Sequence, residues 1–377
     1  MTPLLLSGER FRVDYRVSGT EAEARAKAEA ICVEQTVEFP RELLPAGPIP
    51  DEIVGRVEAF EPEDPAAFRI RISYAVECAG GDLVQLLNVV FGNISLMPGI
   101  RVVDLDLPEA VTRWFGGPRF GREGLRELCG VRRRPLLCSA LKPMGLSARD
   151  LAAQAHAFAL GGIDLIKDDH GLSDQPFCRY EDRVAACAEA VARANRITGG
   201  RTLYLPHVSG PADQVFARAR RAKDAGAGGL LVCPALVGFD TMRCLAEDDS
   251  LALPVMAHPA FGGSLVSAPG NGFSHGALFG ALTRLAGADL SVYPNFGGRF
   301  SFSREECVEI AEATRAPLGG LAPSFPAPGG GMTTDRARDL VEVYGRDFAL
   351  LIGGGLHRRG PDLADNVRHF VGLLEAL

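Results

Sequence analysis

From Gly130 onward, short apolar runs alternate with amphipathic stretches, the pattern of a parallel sheet whose strands are joined by helical crossovers. The strand-like runs are 135–141, 162–167, 202–206, 229–233, 254–258, 288–293, 319–322 and 348–353. Eight such units fit a closed barrel better than an open sheet. Ser147-x-x-Asp150 and Ser303-x-x-Glu306 read as capping boxes, and Gly345 reads as a helix stop. Before Gly117 the rhythm changes: strands are expected over 10–17 and 67–76, and helices over 21–30 and 82–90. The fold class expected is therefore α/β, a (β/α)8 TIM barrel over 117–377 preceded by a smaller α+β domain over 1–116. Phe115-Gly116-Gly117-Pro118 is the expected linker.

Composition narrows the function classes. Of 377 residues 47% are hydrophobic and 23% charged, with a formal charge of −7, values of a globular chain with a sizeable core. No block of Lys or Arg, the Arg132-Arg133-Arg134 triplet included, is long enough to follow a phosphate backbone, so no nucleic-acid partner is expected. No run of about 18 apolar residues exists to span a bilayer, so no membrane partner is expected and the location is read as cytoplasmic. Nine scattered cysteines without a C-x-x-C pair suggest buried thiols rather than a disulfide framework or zinc knuckle.

In a barrel the chemistry lies just beyond the C-terminal ends of the strands. Read that way, the candidates are Lys142, Lys167, Asp168, Asp169, His170, His207, His258, Asn295, Arg299, the glycines 329–331 and 353–355, and His357. Glycine-rich loops after the last two strands suit an anion, because bare backbone brings several N–H donors together. Lysines held at a barrel mouth are costly unless they are paired or functional. The histidines at 156, 275 and 369 read as structural or surface groups.

These residues resemble the large chain of ribulose-bisphosphate carboxylase (RuBisCO), and more closely the RuBisCO-like proteins called form IV. The run Gly161 to Asp169 matches the family stretch G-G-x-D-x-x-K-x-D-E, followed by Gln175-Pro176-Phe177 and Arg179. The resemblance implies that Lys167 carries a CO₂-derived carbamate and, with Asp169 and the residue at 170, holds Mg²⁺. Arg134 to Leu137 leading to Leu141-Lys142-Pro143 resembles the strand of the enolising lysine, which makes Lys142 the implied base. His258 falls on a family histidine, while Gly330, Gly331, Gly354 and Gly355 fall on the glycines of a phosphate site. Phe91-Gly92-Asn93 matches a segment whose asparagine reaches a neighbouring subunit, with Glu34 as its implied companion, so a homodimer with shared active sites is expected.

Departures from the family shape the functional expectation. Met144 stands where a second lysine belongs, His170 replaces a metal-binding glutamate, Pro259 and Val292 replace the far phosphate anchors, and Arg299 replaces the mobile-loop lysine. Arginine is no conservative substitute for a point-charge amine. Carbon fixation on a bisphosphate is therefore not expected. The main expectation is an enzyme that forms a metal-stabilised enolate from a small keto sugar or keto sugar acid, as a decarboxylase or carbon–carbon hydrolase of 3-oxo-isoapionate type. The alternatives are a methionine-salvage diketo phosphate enolase or isomerase, and a non-catalytic sugar-phosphate binder.

Overall fold

The structure is a computed structural model that describes residues 4–330 and 337–377. It divides into two compact units, which are taken separately. One comprises Met1–Phe115, Gly262–Ala281 and Pro317–Leu321, and the other Gly116–Phe261, Leu282–Ala316 and Ala322–Leu377.

The first unit carries β1 (Arg10–Ser18), β2 (Arg56–Asp64), β3 (Ala67–Ala75) and β4 (Ile100–Asp106). Along β1 the positions Phe11, Val13, Tyr15 and Val17 are buried and their neighbours are not, the period of two that sets one face on a core. The helix Glu21–Glu34 buries Ala24, Ala28, Ile31 and Cys32, and Thr20 and Glu23 close its capping box. The sheet order is β10-β4-β1-β3-β2, where β10 (Gly272–Phe273) pairs in parallel with β4. Strands β2 and β4 lack a clear alternation in the sequence and were legible only here.

The second unit is the barrel. Its strands are β5 (Leu136–Leu141), β6 (Leu165–Asp168), β7 (Leu203–Leu205), β8 (Leu230–Val232), β9 (Val255–Ala257), β11 (Leu290–Pro294), β12 (Phe325–Gly329) and β13 (Ala349–Leu351). Among the described residues these strands form one parallel sheet in the order β7-β6-β5-β13-β12-β11-β9-β8. The ring is closed by Val208 N–H donating to Leu231 O at 3.0 Å and Leu231 N–H donating to Pro206 O at 2.9 Å. Leu136, Cys138, Leu165, Leu205, Leu231, Met256, Leu290, Val292, Phe325, Ala327 and Ala349 fill its interior, so the barrel is a packed core and not a pore.

The expected strand at 319–322 is corrected. Gly319, with φ +53°, lies in a tight bend, and the seventh barrel strand is Phe325–Gly329. Its sequence Phe-Pro-Ala-Pro-Gly hides the strand, because proline lacks the ladder donor. Phe325 N–H donates to Asp289 O, and Gly329 O accepts from Asn295 N–H. The odd positions thus face β11, and Pro326 and Pro328 face β13, where pairing is reduced to Gly329 with Leu351.

The capping boxes at Ser147 and Ser303 form as expected, and Gly345, with φ +73°, follows the helix Ala337–Tyr344. All nine cysteines are free. Among the described residues no helix is long and apolar enough to cross a membrane.

Candidate active site

The mouth of the barrel is built from alternation along β6. Leu165 belongs to the barrel interior, so Lys167, two residues on, points the same way and Asp168 points outward. Asp168 accepts from Arg183 Nε at 3.0 Å, from the Tyr204 hydroxyl at 2.8 Å and from His207 N–H at 3.1 Å. Both Asp168 and Arg183 are fully buried. This aspartate therefore ties strand to helix, and of the two adjacent acidic residues only Asp169 serves the mouth.

Lys167 is almost fully buried, and its Nζ donates to Asp168 O at 2.9 Å. Burial lowers its pKa, helped by the like charge of Lys142 and opposed by Cys138 and Asp169. Lys142, one residue past β5, sets its Nζ 3.1 Å from Asp169 Oδ1. Burial would raise the Asp169 carboxyl, but His170, Lys142 and Lys167 outweigh it and hold it below the usual carboxylate range. His170 Nδ1 is 3.7 Å from the same Oδ1.

The His170 ring stacks on His258 with centroids 4.2 Å apart and planes 18° apart. Ala260 N–H donates to His258 Nδ1 at 3.2 Å, which assigns the ring proton to Nε2. Burial, then the positive charge of Lys167, holds His258 well below its ordinary pKa, so the ring at neutral pH is a neutral donor. Next to it, His207 Nδ1 donates to Leu172 O at 2.8 Å and its Nε2 lies 3.4 Å from Cys233 Sγ. The lone pair on Nε2 makes the thiol the donor. Burial pushes that thiol up to about 11, which leaves it protonated and a poor nucleophile.

The remaining candidates spread out. Asn295 is buried and structural, accepting from the Tyr344 hydroxyl at 2.6 Å. Arg299 is exposed, with its guanidinium 4.9 Å over the Phe300 ring. Gly330, with φ +91°, directly follows β12, and Gly354 and Gly355 open the helix Gly354–Arg358; Gly331 lies outside the described residues. A Cβ at Gly353 would sit 4.0 Å from Lys142 Nζ, so this backbone passes close to the amine. His357 packs edge-on against Phe158, its pKa lowered by burial and then by Lys142. In the other unit, Asn93 Nδ2 donates to Glu34 Oε1 at 2.9 Å, which joins two residues 59 positions apart.

The donor set tests the expected metal. Among the described residues no three His, Cys, Asp or Glu side chains converge as metal ligands. Asp169 and His170 alone fall short of what Mg²⁺ requires. The set reaches three only if Lys167 carries a carbamate, and burial, by lowering the pKa of this amine, favours the neutral form that attack on CO₂ needs.

Residues 122–297 match the family described as ribulose bisphosphate carboxylase large chain, catalytic domain. A 5-methylthioribulose-1-phosphate isomerase of Rhodospirillum rubrum is 42% identical over 364 residues, 96% of each chain. The chain belongs to the RuBisCO-like family of enzymes. A 2,3-diketo-5-methylthiopentyl-1-phosphate enolase of Bacillus pumilus is 34% identical over 86% of this chain and 81% of its own length. The crystal structure of a RuBisCO-like protein from Rhodopseudomonas palustris superposes with a TM-score of 0.88, at 39% identity and over 97% of both chains. The barrel with its smaller sheet unit is therefore the RuBisCO-like fold. Gln154 and the contact between His207 and Cys233, both at the edge of the cluster, carry no signal in the sequence alone.

Proposed function

We propose that this RuBisCO-like enzyme moves a proton beside the carbonyl of a small phosphorylated keto sugar that bears a thioether, as an isomerase or enolase of the methionine-salvage type, and fixes no CO₂. The observation that carries this reading is the Lys142–Asp169 pair at the barrel mouth. An amine that takes a proton from carbon becomes an ammonium, and here a carboxylate stands ready to meet that charge. The neutral His258, with its proton on Nε2, is suited to donate to the oxygen on which the enolate charge gathers. Gly330, Gly331, Gly354 and Gly355 are assigned to one phosphate.

The R. rubrum isomerase, similar along nearly the whole of both chains, supports this substrate class over the sugar acids, and so does Met144. Its side chain is half exposed, and its methyl lies where a Cβ on Gly171 would come within 2.8 Å. A thioether beside Asp169 suits an apolar substrate end. A divalent metal, when bound to carbamylated Lys167, Asp169 and His170, would supply charge stabilisation of the enolate. The Asn93–Glu34 pair is assigned to a homodimer in which each subunit completes its partner's site.

The test is incubation of the protein with 5-methylthioribulose-1-phosphate, the diketo phosphate and a panel of 3-oxo sugar acids, with and without Mg²⁺ and bicarbonate. Turnover of a thioether phosphate is expected, with solvent deuterium entering the product. Lys142→Met should slow it by about 10²- to 10⁴-fold, the usual share of a proton-transferring side chain. Turnover of the acids alone would replace this reading with the decarboxylase one.

A further inference from the structure

Lys142 stands where the sheet stops helping. Leu141 is the last residue of β5, and its carbonyl still accepts from Asp169 N–H at 3.3 Å. Lys142 lies one step beyond, and Pro143 after it has no N–H to offer. Both main-chain groups of Lys142 are instead held by one side chain. Lys142 N–H donates to Gln154 Oε1 at 3.0 Å, and Gln154 Nε2 donates back to Lys142 O at 2.9 Å. The amide thus serves Lys142 as a neighbouring strand serves Leu141.

Gln154 lies in the helix Ala148–Leu160, whose start is fixed by the Ser147–Asp150 capping box. The helix itself does not call for an amide here: Ala152, Ala153 and Ala155 surround the position, and alanine is the better helix former. The two hydrogen bonds are what the glutamine adds. They fix the backbone from which the Lys142 amine reaches Asp169. We infer that Gln154 is the positioning residue for Lys142. This rests on reading Lys142 as the proton-transferring amine.

The experiment uses Gln154→Met, which keeps the length and loses both bonds, and Gln154→Glu, which keeps an acceptor for Lys142 N–H and loses the donor to its carbonyl. With whichever substrate the wild type turns over, Gln154→Met should lower kcat by about tenfold to a hundredfold, the scale of a small misplacement of a reacting group. KM should change by less than about threefold, since uniform binding is untouched, and Gln154→Glu should fall between. A folded Gln154→Met protein with wild-type kcat, or one whose loss lies in KM, overturns the inference. A second arm needs no substrate. The chain has four lysines, Lys27, Lys142, Lys167 and Lys223, so trinitrophenylation by trinitrobenzenesulfonate, in which the neutral amine displaces sulfite from the ring, can be mapped to each by peptide mass spectrometry. The labelling rate of Lys142 relative to the exposed Lys223 should shift in Gln154→Met, and an unchanged ratio also overturns the inference. If the wild type turns over nothing, the functional proposal fails while this arm still decides the role of Gln154.

Discussion

Among the 40 basic residues only four are lysine, and two of these, Lys142 and Lys167, stand at the ends of adjacent barrel strands. Apart from Lys27 and Lys223, the chain elsewhere uses arginine for positive charge, a group that keeps its proton at every physiological pH. A lysine can exist as a neutral amine, which proton transfer and carbamylation both require. The residue choice therefore follows chemistry rather than charge. His170 is the other informative residue. An imidazole ligand would give a metal at this position one negative charge fewer than a carboxylate would. In calorimetry the wild type should bind Mg²⁺ only with bicarbonate present, and His170→Glu should tighten that binding about tenfold or more, since a carboxylate oxygen suits the hard cation better. Equal affinities would detach His170 from the metal.

At the scale of elements, the site depends on how β6 is anchored from behind. The fully buried Asp168 and Arg183 lock the strand to the helix Tyr180–Thr198, while Lys167 and Asp169 on the opposite side stay aimed at the mouth. Removing one partner of such a pair strands a buried charge, which typically costs about 3–5 kcal/mol. Arg183→Met should lose that much in urea unfolding, whereas Asp168→Asn combined with Arg183→Met should lose less. Equal losses would mean that packing, not charge, anchors the strand. Elements also account for the misread seventh strand. Its prolines suppress every ordinary strand signal, and they are tolerated because the missing donors fall on the thinly paired β13 side.

For the whole molecule, ionisation at the mouth predicts how stability follows pH. His207, His258 and His357 have pKa values lowered in the fold, chiefly by burial. Below the ordinary histidine value of 6.5 the unfolded chain takes up protons that the folded one refuses, so stability present above that pH is lost as pH falls. Asp289 works the other way: burial raises it to about 6 despite N–H bonds from Val255, Gly121 and Phe120. Acid therefore relieves it between about 6 and the model-peptide carboxylate range near 4. Three depressed histidines outweigh one raised aspartate, and Tm should fall from pH 7 to pH 5. A flat or rising Tm would mean that the histidines are not held neutral.

The sequence by itself determined the barrel, most of its strands, the capped helices and the set of residues at the strand ends. Local period, caps and glycine spacing are properties of neighbouring residues, and they survive without tertiary information. The run from Gly161 to His170 even carried the family. Tertiary structure alone decided which of these groups meet. Asp168 and Asp169 are adjacent and chemically identical, yet pleat alternation sends one to Arg183 and the other to Lys142. Stacking of His170 on His258, and the grip of Gln154 on Lys142, join different strands and helices. Such contacts depend on strand order and register around a closed ring, which no local pattern in the chain encodes.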